Sequence, residues 1–176
     1  MERTHYLKQT DIERYHLSDI PLFAEISTEY VGQFLSVCQV FSYTAHEKIL
    51  QQGVKSSWVF ILLSGKLRVV CNDVEITVIF QRGDVFGEAP LVSASAPSAD
   101  VVALTPVKCL AIDTILMRQV HTKGNEIFSM HFYQFIIKLL IRRLGQMSEE
   151  LAMVKSIFYA TDDDGNPLIS LPTNDG

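Results

Sequence analysis

The spacing of apolar residues changes period twice along the chain, and each change marks a different kind of element. From Ser27, Tyr30, Val31, Phe34, Leu35 and Cys38 recur at helical spacing, and Ser27 is placed to cap the helix they predict. The first 26 residues read as a short helical leader ending at Ile20-Pro21-Leu22-Phe23. The middle of the chain is built of short β-rich runs: Val40–Tyr43, Lys48–Gln51, Trp58–Leu63, Lys66–Cys71, Glu75–Phe80, Asp100–Leu104 and Val107–Ile112. Turn residues separate them, among them Gly53, Ser64-Gly65, Asn72-Asp73, Arg82-Gly83-Asp84 and Pro106. Many short strands without intervening helices predict a sandwich or barrel.

One interruption breaks the strand rhythm. Phe86–Val92, followed by the small-residue run Ser93 to Ala99, predicts a tight helical turn and loop that presents backbone amides rather than bulky side chains. Beyond the last strand, Asp113 is placed to cap a short helix over Thr114–Val120, and Thr122-Lys123-Gly124-Asn125 turns the chain.

A long helix then runs from Glu126 to about Phe158. In it Met130, Tyr133, Ile137, Leu140, Leu144, Met147, Leu151, Val154 and Phe158 alternate spacings of three and four, an unbroken a/d seam. The first half also carries Phe128, Phe132, Phe135, Ile136, Leu139 and Ile141 and is apolar nearly all round. Too little chain remains to cover such a seam from within. The pattern predicts a homodimer joined through Ile137, Leu140, Leu144, Met147, Leu151 and Val154. The expected organisation is a helical leader over 1–18, one domain over 19–158 (barrel 40–112, dimerisation helix 126–158) and an acidic flexible tail over 159–176.

Charge sharpens this picture. The net charge is -5, but Asp162, Asp163, Asp164 and Asp175 stand in a tail without a basic residue, so the rest carries 16 acidic against 15 basic residues. A near-neutral body offers no electrostatic footing for a nucleic-acid backbone. The tail after Phe158 is acidic and broken by Pro167 and Pro172, so it supplies no helix-turn-helix, and DNA binding by this chain alone is not expected. Cys38, Cys71 and Cys109 are odd in number, widely spaced and set in apolar stretches, as small core residues are. The charged start Met1-Glu2-Arg3-Thr4-His5 is no signal peptide and no apolar run reaches bilayer length, which points to the cytoplasm and to no membrane partner.

The order of helix, about eight short strands interrupted near the sixth, and long C-terminal helix resembles the cyclic-nucleotide-binding domain family, which includes the catabolite activator protein and protein kinase A regulatory subunits. Four segments carry the resemblance: Ile20–Phe23, Ala45–Gly53 with His46 where glycine is usual, Val59–Val69, and Gly83-Asp84-Val85-Phe86-Gly87-Glu88 at the start of a phosphate-binding cassette. It covers roughly residues 19 to 155 and implies a mainly β fold with flanking helices. That fold is a double-stranded β-helix, a jelly-roll-like barrel of about eight strands, plus a long C-terminal helix. It also implies a non-catalytic regulatory module in which a cyclic nucleotide would lie against Phe86, Gly87, Glu88 and Ala89 at the cassette entrance and Pro97, Ser98 and Ala99 at its exit.

A cyclic phosphate in a confined site is held by backbone N–H groups and a side-chain cation. In the family a glutamate binds the ribose hydroxyl and an arginine pairs with the phosphate. Here Glu88 matches the glutamate, but the arginine position falls on Pro97, or on Ser98 if the loop is one residue longer. Nothing between Gly83 and Lys108 is basic. Losing the cation is expected to cost about 2–4 kcal/mol. No cofactor is therefore certain, and cyclic-nucleotide binding is expected to be weak. Three readings stay open: a vestigial scaffold, a neutral or apolar ligand, or a cation lent by Arg142 or Arg143 of the long helix.

Other classes fare worse. A metal-dependent enzyme of cupin type needs converging histidines, but His5, His16, His46, His121 and His131 form no H-x-H pair and only His46 sits at a barrel turn. No serine stands in a G-x-S-x-G elbow and no cysteine has a histidine nearby in sequence. The principal alternative is a ligand-independent adaptor that binds an unknown protein partner on the same fold.

Overall fold

The computed structural model describes residues 1–20, 23, 26, 28–88, 96–121 and 126–158, with only part of the side chains in the final helix. The expected Ser27 cap, the helical turn after Glu88, the turn at 122–125 and the acidic tail lie outside the described residues. The chain divides into two compact units, Met1–Tyr133 and Gln134–Gly176.

The first unit is mainly β. Its strands are β1 (Glu2–Arg3), β2 (Cys38–Tyr43), β3 (Lys48–Leu50), β4 (Trp58–Ser64), β5 (Leu67–Cys71), β6 (Val74–Ile79), β7 (Val85–Phe86), β8 (Asp100–Ala103) and β9 (Val107–Asp113). They form two antiparallel sheets, ordered β1-β2-β9-β4-β7 and β3-β8-β5-β6. The helices are α1 (Asp11–Arg14), α2 (Thr28–Leu35), α3 (Thr114–His121) and α4 (Glu126–Phe158), with a 3-10 turn at Leu17–Asp19.

Side chains from both sheets meet in one buried cluster that includes Phe41, Phe60, Phe86, Leu62, Leu67, Val101 and Ala111. Register explains why β4 reads as an unbroken apolar run. Phe60 and Leu62 point into that cluster, while Val59, Ile61 and Leu63 point the other way and are buried as well. Val59 stands level with Ile112 and Cys38, and Ile61 with Leu110 and Val40, so the centre of the five-stranded sheet is buried on both faces. The leader and α2 contribute wholly buried Leu17, Ile20, Phe34 and Leu35, and α2 packs on β2.

Three expectations require correction. The leader is not purely helical: Glu2 and Arg3 pair with Ser42 and Phe41, adding β1 to the sheet edge. That pairing satisfies backbone groups on β2 that a helix would leave open. Cys38 belongs to β2 rather than to the preceding helix, which ends at Leu35; its thiol donates to the Phe34 carbonyl at 3.1 Å and so still touches the helix end. Val85 and Phe86 form the short strand β7 against Ile61 and Phe60, where no strand was expected.

The short and long C-terminal helices match their expected spans. Asp113 caps α3, its Oδ1 accepting from the backbone N–H groups of Ile115 at 2.9 Å and Leu116 at 3.1 Å. Along α4, Ile137, Leu144, Met147, Leu151 and Val154 are exposed and Leu140 is half-buried. The side chains at 128, 132, 135, 136 and 139 lie outside the described ones.

Candidate functional site

The cassette begins where the β6–β7 turn delivers the chain onto β4. Gly83 turns with φ +92°, its N–H donates to the Leu62 carbonyl at 2.9 Å, and Leu62 donates to the Asp84 carbonyl at 2.8 Å. The Asp84 carboxylate accepts from the Gln81 N–H at 3.0 Å, closing the turn. These bonds fix β7 so that the Phe86 ring stacks on Phe60, with centroids 5.2 Å apart and planes at 13°. Phe86 is therefore a core residue that sets the cassette's entry angle; it is only 2% exposed.

Gly87 follows in the left-handed region, with φ +70°. A β-carbon there would lie 2.8 Å from Leu50 Cδ1, so the chain hugs the end of β3 as only glycine allows. Glu88 is half-buried. Ala89 lies outside the described residues.

The exit is equally well tied. Pro97 is buried and its carbonyl accepts from the Gly53 N–H at 3.0 Å. Ser98 is exposed, while Ala99 is half-buried and packs on the core cluster. Asp100 opens β8, and its carboxylate accepts from the Lys48 ammonium and from the Gln52 N–H, each at 2.6 Å. The bond from Lys48, followed by that from the Gln52 amide, holds the Asp100 carboxyl below its usual range. Gln52 continues outward: its Nε2 donates to Asn72 Oδ1 at 3.0 Å, and the Asn72 N–H donates to Gln52 Oε1 at 3.1 Å.

A single strip, Lys48–Gly53, thus meets both ends of the cassette: Leu50 lies against Gly87, and Lys48, Gln52 and Gly53 bond the exit. The cation at the described exit is already committed to a carboxylate. The side chains of Arg142 and Arg143 lie outside the described ones. Among the described residues no group of three His, Cys, Asp or Glu side chains is placed to hold a metal ion, and no helix is long and apolar enough to cross a membrane.

Sequence reasoning missed Lys48, Gln52, Gly53 and Asn72 as partners of the exit, because each reads as strand or turn and their convergence needs the β3–β8 and β5–β8 pairings. The one available signal was Asn72-Asp73, a turn dipeptide whose amide side chain was free for a second task.

Residues 40–123 match the cyclic nucleotide-binding domain family. The chain is 30% identical over 105 residues to the cGMP-dependent protein kinase, isozyme 1, of Drosophila melanogaster, covering 55% of this chain and 14% of the kinase. It therefore spans a small part of that relative. A cyclic nucleotide-binding domain from Methylobacillus flagellatus superposes with a TM-score of 0.69 at 17% identity, covering 85% of this chain and 88% of that one. The regulatory subunit of a cAMP-independent protein kinase A from Trypanosoma brucei superposes at 0.52 and 20% identity, covering 69% and 50%. The described site, from the cassette turn at Gly83 to the capped helix at Asp113, lies inside the matched segment, and residues 40–123 of this chain belong to the cyclic nucleotide-binding domain family.

Proposed function

We propose that this chain is a non-catalytic regulatory module whose cassette grips a cyclic phosphate weakly or takes another ligand, and which assembles as a homodimer through α4. One observation carries the ligand half of this reading. The position expected for the phosphate-pairing arginine is Pro97, buried and without a backbone N–H, and the exit's own cation, Lys48, is bound to Asp100. A protein of similar fold from Trypanosoma brucei is the regulatory subunit of a protein kinase A described as cAMP-independent, which supports a reading without tight cAMP binding. For the dimer, support comes from the exposed seam of α4, where Leu144 is 63% and Leu151 55% exposed.

Calorimetry with cAMP and cGMP tests the first half. Wild type is expected to give no saturable heat at micromolar nucleotide, and Pro97→Arg or Ser98→Arg is expected to gain tens- to about a thousandfold in affinity. Micromolar binding by wild type would overturn the reading. Sedimentation equilibrium tests the second half: wild type dimeric, Leu144→Glu/Leu151→Glu monomeric.

A ligand-independent adaptor is the second reading. It is favoured by Val74, Ile76 and Phe80, which are exposed on and just past β6, the outer strand of its sheet. Co-purification of one specific partner without nucleotide would select it. Stoichiometric tight metal binding in a titration would instead favour a cupin-type enzyme.

A further inference from the structure

Gln52 is bonded in two directions at once. Its backbone N–H donates to Asp100 Oδ1 at the cassette exit, and the next N–H, from Gly53, donates to the Pro97 carbonyl. Its side-chain amide forms a reciprocal pair with Asn72 in the β5–β6 turn. Asn72 has φ +50° and Asp73 φ +65°, so this turn is tight and its amide groups are held at a fixed angle. Both ends of the chain of bonds are therefore anchored to regular structure: Asp100 to β8, Asn72 to the hairpin.

We infer that Gln52 is a strap that couples the position of the cassette exit to the β5–β6 turn. Any displacement of Pro97 or Asp100 pulls on the 51–53 backbone, and the Gln52 amide then cannot keep both bonds to Asn72. The converse holds with equal strength, because coupling between two sites is reciprocal. Gln52 is thus a positioning residue: it contacts the exit through its backbone and reports on it through its side chain. The inference does not depend on which ligand, if any, the cassette takes.

Amide hydrogen exchange on the full chain tests it. In Asn72→Gly the left-handed turn suits glycine, so the unfolding midpoint stays level or rises, yet the Gly53 amide is expected to exchange about fivefold faster, as the loss of one hydrogen bond implies. Asp100→Ala, which removes the acceptor of the Gln52 N–H, is expected to speed exchange at Asn72, at the far end of the strap, by a similar factor. Asn72→Asp retains the Oδ1 acceptor and is expected to restore slow exchange at Gly53. A Gly53 amide that changes by less than about twofold in both Asn72→Gly and Gln52→Ala would overturn the strap, since the first removes the Oδ1 acceptor and the second removes both bonds between the two residues. Exchange at Leu62, inside β4, serves as the internal standard and is expected not to move.

Discussion

Leu50 and Gly87 touch across the entrance to the cassette: the Leu50 Cδ1 methyl occupies the space where a side chain on residue 87 would begin, 2.8 Å from an ideal β-carbon. Phe60 Cδ2 and the Trp58 carbonyl close the same space at 3.5 Å. Left-handed backbone strain falls on any substitution there and the Leu50 methyl must swing aside, while Phe60 and Trp58 stand at ordinary contact distance. Gly87→Ala is expected to lower stability by about 1–3 kcal/mol, read as a drop in the urea midpoint at constant slope. An unchanged midpoint would show that the entrance is looser than its contacts suggest.

Arg82 ties the leader to the hairpin between β4 and β5. Its Nη1 donates to the Leu63 carbonyl at 2.6 Å, and its Nη2 to the carbonyls of Tyr15 and His16. His16 sits at φ +49°, in the left-handed region that the 3-10 turn requires of it. Because these carbonyls can recover water when the guanidinium is removed, Arg82→Ala is expected to cost only about 1 kcal/mol globally. The local effect is expected to be larger: limited trypsin digestion cuts after Arg14 several times faster in the variant. A digestion pattern identical to wild type would show that the leader is held without Arg82.

The β5–β6 hairpin joins Cys71 and Val74 through the two residues Asn72 and Asp73, both at positive φ. This is the turn geometry that favours glycine in its second place. Asp73→Gly is expected to raise stability by about 0.5–1 kcal/mol, measured as an increase in melting temperature. His46, at φ +69°, offers a second position of the same kind.

Acid sensitivity is expected to run in part through Asp100. Its carboxyl is held down in the folded chain, so it contributes stability above its unfolded value of about 4 and loses that contribution as pH falls through the lower folded value. The gap in urea midpoint between wild type and Asp100→Asn is expected to be constant from neutral pH to about pH 5 and to shrink below about pH 4. A gap that grows on acidification would assign the group the wrong sign.

Legibility in the sequence followed the range of the interactions involved. Period and turn chemistry are local, so the strand runs from Val40 to Ile112 and the helices at Thr114 and Glu126 could be read directly, with ends shifted by a residue or two. The Asp113 cap was equally local. What escaped depends on partners distant in sequence. Glu2 and Arg3 become a strand only because β2 presents an open edge, Cys38 leaves the helical pattern only because Ile112 stands opposite it, and Val85-Phe86 is too short to register without β4. At the cassette, Gly87 and the missing cation were visible as residue types. The bonds from Lys48, Gln52 and Gly53 were not, since they follow from sheet pairing rather than spacing.

The pairing of β2 with β9 has a consequence for synthesis on the ribosome. Val40 bonds level with Leu110, so the edge created early must wait for about 70 more residues before its mate emerges. During that interval β1 already shields one side of β2, and the nascent chain offers neighbouring polypeptides a narrower target for mispairing. An N-terminal deletion would thus be felt first as lost yield during expression, before any change in the finished molecule is measured.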